Sequence, residues 1–390
     1  MKILILHNRY QQAGGEDSVV HQEYAMLKRA GHTVELLEVN NDNITGIKEK
    51  ITTALRVIYS RPSKQQVAMK LSAFKPDIVH CHNIFPRLSA SVYDACRDHG
   101  VPVVQTLHNY RFVCPTAILM LKGKPCERSI HHSPFWALRY KVYQGSLLGT
   151  FILCCNIAFH RWRNTWNTRV DRFITLTEFS RQKFIEAGFT PNKLAVKPNF
   201  FTPDNASAQN TPEIALPDRF ALYVGRLSDE KGIEPLIEAF SGIKYPLVVV
   251  GDGPLMETLQ SANLPDTIHL VGRVPSAQIP AFLEASDFLV LPSLCYEGFP
   301  MTIAEAFACS TPVIASRLGS MAEIVTHQST GLLCPPGDAD SLREAVLTLA
   351  AAPATISEYG QNAFKIYQQQ YTEAANYQRL MQIYQEAIND

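Results

Sequence analysis

Phe288-Leu289-Val290-Leu291-Pro292-Ser293, followed after two residues by Tyr296-Glu297-Gly298-Phe299-Pro300-Met301-Thr302-Ile303-Ala304-Glu305, is the stretch that decides the fold. The first segment is a short apolar run bounded by proline and serine, which reads as a strand buried on both faces in a parallel sheet. A Gly-Phe-Pro turn follows, then a run of good helix formers from Ala304 to Ala308. Pro300 fits the first helical position, where its fixed φ suits and its missing N–H is not needed. Glu297 is thus predicted on a strand-to-helix loop and Glu305 about a turn and a half into the helix. Open α/β sheets bind ligands at this carboxyl edge. Carboxylates there suit sugar and ribose hydroxyls, and helix-start amides suit phosphate. The plain alternative is two solvent-facing glutamates, which the loop-helix context and a basic partner upstream disfavour.

That partner is Leu222-Tyr223-Val224-Gly225-Arg226-Leu227-Ser228-Asp229-Glu230-Lys231-Gly232. An apolar strand ends at Gly225, a turn carries Arg226 and Lys231, and a helix begins near Ile233. Arg226 offers a planar fork of donors and Lys231 a compact point charge. Together they could hold a diphosphate and stabilise the charge it gains on leaving. Pairing of both cations with Asp229 and Glu230 in a solvated turn is the other reading.

Strand and helix patterns alternate from end to end, so an α/β architecture with parallel sheets is predicted. The strands read Lys2–Leu6, Thr33–Val39, Asp77–Cys81, Val101–Leu107 and Asp171–Leu176 in the first half. In the second they read Phe220–Val224, Leu247–Val250, His269–Val271, Phe288–Leu291 and Pro312–Ala315. The Pro- and Asn-rich stretch from Lys197 to Pro212 suits a linker and places a domain boundary near residue 200. At 390 residues and 46% hydrophobic content, two packed domains are expected and disorder is excluded. A formal net charge of zero gives no global field toward nucleic acid or membrane. Nine unevenly spaced cysteines suggest a reducing cytoplasm. Met1–Leu6 is too short for a signal sequence, and no run reaches the roughly 20 apolar residues of a spanning helix.

The two motifs together, GR-x4-KG and E-x7-E, resemble the retaining GT-B glycosyltransferases of family 4. Val249-Val250-Gly251-Asp252-Gly253-Pro254, His269-Leu270-Val271-Gly272-Arg273-Val274, Thr311–Ser316 and Thr330–Leu333 resemble that family's later segments in order. The resemblance implies two Rossmann-like parallel-sheet domains facing across a cleft: an acceptor-side domain over 1–200 and a nucleotide-sugar domain over 201–371. A C-terminal helix, 372–390, would cross back to the first domain. It further implies transfer of a hexose-type sugar from a nucleotide diphosphate to a hydroxyl, with retention and without a metal or other cofactor. Glu305 would bind the ribose and Glu297 the donor sugar. Phe299, Pro300 and Met301 would supply helix-start contacts, and Gly272 and Val274 would hold the base. Arg226 and Lys231 would neutralise the diphosphate. Gly14 and Gly15, a glycine pair before a helix, would face the donor's phosphates, and His108 would approach the donor sugar. Ser310 stands where many relatives carry glycine.

Several further features are read from the residues. His80 and His82 point the same way along a strand, but no third ligand at sensible spacing accompanies them, so no metal site is assigned. Asp338-Ala339-Asp340 precedes a helical pattern and reads as a cap, not a metal motif. Residues 122–172 hold nine basic residues against Glu127 and Asp171, with Trp136, Trp162, Trp166 and the apolar run Leu147–Phe159. That composition suits contact with anionic lipid, and a buried helix with a basic outer face is the alternative. The expected acceptor is accordingly a glycan or a lipid-linked sugar of bacterial surface polysaccharide assembly, met in the cytoplasm or at the inner membrane face. A non-catalytic sugar-nucleotide-binding subunit and a GT-B nucleotide-sugar epimerase are the competing readings, and nucleic acid is not an expected partner.

Overall fold

The computed structural model describes residues 1–9, 15–40, 56–203 and 215–390. The chain divides into two compact units. One holds Met1–Leu119, Cys126–Asn199 and Asn376–Asp390, the other Met120–Pro125 and Phe200–Ala375.

In the first unit the strands are β1 (Lys2–Arg9), β2 (Thr33–Asn40), β3 (Ile78–Cys81) and β4 (Val103–Leu107). After a two-residue hairpin pair, β5 (Met120–Leu121) and β6 (Lys124–Pro125), come β7 (Arg172–Thr175) and β8 (Leu194–Val196). The main sheet runs β2-β1-β3-β4-β7-β8 and is parallel throughout. Ile3 to Leu6 and Ile78 to Cys81 are wholly buried, because crossover helices cover both faces of a parallel sheet.

The second unit contains β9 (Ala221–Val224), β10 (Leu247–Val250), β11 (Ile268–Gly272), β12 (Phe288–Leu291), β13 (Val313–Ser316) and β14 (Gly331–Cys334). Its sheet, β11-β10-β9-β12-β13-β14, is again parallel. All ten strands expected from sequence are present, and β1 continues three residues further than its apolar run. β8 and β14 are additional strands that the sequence reading did not assign.

Strand order reverses between β1 and β3 in one sheet and between β9 and β12 in the other. A crevice opens at such a point because neighbouring strands send their following loops to opposite faces. Two glycines hold the second unit's loops together there. A Cβ on Gly232, at φ +72°, would stand 2.0 Å from the Pro292 carbonyl oxygen, and one on Gly251 would stand 1.8 Å from that of Gly225. No side chain fits either place, so the loops after β9, β10 and β12 meet backbone to backbone.

The terminal helix Glu373–Asn389 buries Asn376, Leu380, Ile383, Tyr384 and Ala387. Within the first unit, Asn376 donates to the Pro198 carbonyl at 2.6 Å and Tyr384 meets His80 at 2.8 Å. Among the described residues no helix is long and apolar enough to cross a membrane.

Candidate functional site

In the second unit the predicted residues gather at the β9/β12 switch point. Lys231 Nζ donates to Glu297 Oε1 at 2.6 Å, and the fully buried Ser293 donates to the same oxygen at 2.7 Å. The pairing of Lys231 with Asp229 or Glu230 that the sequence left open is thus replaced by one with Glu297, on the loop after the neighbouring strand. Burial alone would lower the Lys231 pKa, but Glu297 outweighs it and the ammonium is held above its ordinary range. Arg226 is exposed, and among the described residues no carboxylate pairs with it. Its backbone is fixed by the Tyr223 hydroxyl, which donates to the Arg226 carbonyl at 2.9 Å.

The helix that carries Glu305 runs from Met301 to Ala308, with Pro300 as the extended N-cap residue at φ −73°, ψ 103°. Pro300 therefore lies one place before the first helical position, and Glu305 is just over one turn in. Its missing N–H costs nothing there, and the first-turn amides have no helical acceptors of their own. Glu305 has its carboxyl pushed up to about 7 by burial. Phe299 is buried against Tyr371, ring centroids 5.5 Å apart. Gly272, at φ +82°, ends β11 at a register shift, and its carbonyl accepts from Gly251 N at 2.8 Å. Val274 follows, half-buried, on the same edge.

Two positioning residues escaped the sequence reading. Ser293 could have been noticed as a polar residue ending an apolar strand. Ser320, on the helix Gly319–Ile324, donates to the carbonyls of Glu297 at 2.6 Å and Gly298 at 3.1 Å. Nothing local in the sequence signals that link over 23 residues. Ser310 adopts φ +58°, a left-handed conformation that glycine takes more easily. Asp338 caps the helix Ala339–Ala350 by accepting from Ser341 N at 2.9 Å, in agreement with its reading as a cap.

In the first unit, Gly14 lies outside the described residues, and Gly15 is exposed at the start of the helix Gly15–Arg29. His108 follows β4, and its Nε2 stands 3.0 Å from His82 Nδ1, one ring donating to the other. Burial first, and His82 next, hold His108 well below the usual imidazole range, so it is neutral near pH 7. Behind it lies a buried network. His80 bonds Thr106 and Tyr384, and Glu23 Oε2 approaches His82 Nε2 to 3.3 Å and His80 Nδ1 to 3.7 Å. Glu23 is thus the third potential ligand that sequence spacing did not reveal. Its carboxylate is already taken by the Lys197 ammonium, itself bonded to Asn376 at 3.1 Å. A cation bound there would have to compete with that ammonium, which already compensates the Glu23 charge.

Segment 122–172 is less uniformly available than its composition suggests. Arg169 pairs with Asp94, Arg172 with Asp390, and Arg161 donates to the Ser129 and His132 carbonyls. Arg139, Lys141 and Arg163 remain exposed. Beside them Phe135, Leu147, Leu148, Phe151 and Trp162 are exposed, Trp162 at 80%. The helix Leu147–Trp162 buries Leu153, Cys154 and Ile157 on its opposite face.

Two family models match consecutive parts of the chain: Glycosyltransferase Family 4 over residues 13–205 and Glycosyl transferases group 1 over 205–366. Among curated relatives, D-rhamnosyltransferase WbpZ of Pseudomonas aeruginosa is 36% identical over 40% of this chain and 42% of its own. The putative teichuronic acid biosynthesis glycosyltransferase TuaC of Bacillus subtilis is 35% identical over 44% of this chain and 43% of its own. The chain thus spans under half the length of these relatives. The solved sucrose-phosphate synthase of Thermosynechococcus elongatus matches the fold at TM-score 0.74, with 20% identity, covering 100% of this chain and 99% of that one. Anabaena HepE in complex with UDP-glucose matches at TM-score 0.66, with 19% identity, covering 98% of this chain and 99% of that one.

Proposed function

The chain belongs to the family-4 type of GT-B glycosyltransferases, and from that premise we propose that it moves a hexose-type sugar from a nucleotide diphosphate to a hydroxyl with retention of configuration. The observation that carries this reading is the Lys231–Glu297 pair at the β9/β12 switch point, with Arg226 and Glu305 on the same edge. Arg226, Lys231 and the amides of the Met301 helix supply positive charge for the diphosphate, so no divalent cation is required. Glu305 accepts from the ribose hydroxyls and Glu297 from the sugar, favouring an oxocarbenium-like transition state. In the transfer the bond from the anomeric carbon to the phosphate oxygen breaks and the bond to the acceptor oxygen forms on the same face. The acceptor's proton passes to the departing diphosphate. His108, neutral on the first unit, donates to or accepts from a donor-sugar hydroxyl.

A UDP sugar heads the donor candidates, because HepE was solved with one. Polysaccharide assembly is the setting in which TuaC is named, and a glycan or lipid-linked acceptor follows from it. The test is a thermal-shift panel with UDP, GDP, ADP and TDP. A nucleotide at about 100 times its dissociation constant adds roughly 2.7 kcal/mol of stability. One nucleotide should raise the melting temperature, and Glu305→Gln should abolish that rise. No rise with any nucleotide, or one indifferent to Glu305, overturns the donor site, and donor turnover separates a transferase from a binding subunit.

Glu305→Gln also has a signed pH effect. The folded carboxyl titrates near 7 and the unfolded one near its ordinary 4.5. Between those values the folded state holds a proton that the unfolded state has lost, so stability falls as pH rises through this window. The amide variant should therefore melt higher than the parent at about pH 8 and close to it near pH 5. Ribose hydroxyls favour the carboxylate, so the parent's nucleotide affinity should increase over the same pH range.

The face formed by Leu147, Leu148, Phe151 and Trp162, flanked by Arg139, Lys141 and Arg163, fits an anionic lipid surface at the inner face of the membrane. Co-sedimentation with anionic liposomes at low salt should be lost in Trp162→Ser/Phe151→Ser. Absence of binding by the parent removes the membrane proposal without touching the transferase.

A further inference from the structure

A pocket in the first unit is lined by Glu16, Phe85, Arg111, Phe112, Asn156 and Trp166, together with His82 and His108. It opens beside β1 and β3, where that unit's strand order reverses. Phe112 and Trp166 form one wall, with ring centroids 4.7 Å apart. The Arg111 guanidinium is fixed over the Phe85 ring, 4.7 Å from its centroid. Its Nε and Nη1 are both buried without a hydrogen-bond partner, as is Asn156 Oδ1. Among the described residues no carboxylate is seen to pair with Arg111.

N–H groups withdrawn from water without an acceptor carry a desolvation cost until something meets them. Nε and Nη1 each share an edge of the fork with Nη2, and either edge matches two oxygens of a phosphate or carboxylate. The aromatic wall suits a sugar ring or the apolar part of the same molecule. His108 lines the same pocket, so a molecule seated there lies next to a residue of the proposed reaction.

We propose that this pocket is the acceptor subsite and that Arg111 selects an acceptor bearing an acidic group, a phosphate or a carboxylate. The inference rests on the transferase reading for the word acceptor, while the anion site itself does not. Asn156, whose Oδ1 has no partner, completes it as a hydrogen-bond acceptor for an acceptor hydroxyl.

The test is isothermal titration of the full chain with glucose 1-phosphate, glucuronate and neutral glucose. It is run in an Arg226→Ala background so that the diphosphate site contributes less. One or both anions should bind more tightly than glucose, the phosphate and carboxylate arms telling which group is read. Arg111→Gln should weaken that binding roughly 10- to 100-fold, with Arg111→Lys falling between because it keeps charge and loses the fork. The nucleotide-induced thermal shift, measured with Arg226 intact, should survive both substitutions and show that the variants are folded. Equal binding of neutral glucose, anion binding indifferent to Arg111, or no binding of either anion overturns the proposal. If instead the anions bind through Arg111 while no nucleotide shifts the melt, the pocket stands and the donor reading falls.

Discussion

Lys231→Ala should lower turnover by about 100- to 1,000-fold, as expected for loss of one donor that stabilises developing charge. The ammonium is held charged by Glu297, and it lies beside the loop that also presents Arg226. A diphosphate gains negative charge as the bond to the sugar breaks. A cation that meets it more strongly then than in the ground state acts on the rate more than on binding. Nucleotide affinity should accordingly fall much less than turnover, and Arg226→Ala should behave in the same direction. Lys231→Ala also leaves Glu297 without its cation, so Lys231→Ala/Glu297→Gln is the informative companion. If the lysine acts only by positioning Glu297, the double variant should be no worse than Glu297→Gln alone. If it acts on the phosphate, the double variant should be worse again. Single-turnover measurements on folded protein decide this, and near-normal turnover in Lys231→Ala removes the assignment.

The candidate site of the second unit was legible because its information is local. Glu297, Pro300 and Glu305 lie in a nine-residue stretch shortly after one strand, and unbroken apolar runs mark the strands that position them. The cap at Pro300 differs by one place, within the one or two residues by which a helix end is defined. β8 and β14 escaped because three- and four-residue strands at the end of a sheet carry too few residues for a period to show. The first unit was harder to read. Its basic residues read as one surface from composition, whereas Arg169 and Arg172 each find a carboxylate far along the chain. Arg111 carries no signal of its own, since an arginine in a loop looks solvated until its neighbours are known.

The same blindness to distance hid the Lys197–Glu23 pair, whose members are 174 positions apart and at most 1% exposed. Lys197→Met should destabilise the fold by about 3–5 kcal/mol, because it leaves a buried carboxylate without its cation. In a unit of this size that is a fall in melting temperature on the order of 10 °C. The pH dependence identifies the cause. Burial opposes ionisation of Glu23, but Lys197 and then His82 outweigh it and hold the folded carboxyl well below 4.5. Its contribution is therefore complete above the unfolded value and is lost as pH falls through the folded one. Without Lys197 burial prevails, the folded carboxyl moves above 4.5, and the variant gains stability as pH drops from neutral. The gap between parent and variant should thus narrow toward about pH 5. Glu23→Gln/Lys197→Met, which removes both charges, should recover much of the loss at neutral pH, since a buried pair is far less costly to replace than to break. Chemical denaturation of the three proteins at two pH values tests this. A gap that is constant with pH, or a double variant as unstable as Lys197→Met, would mean that the lysine acts through packing alone.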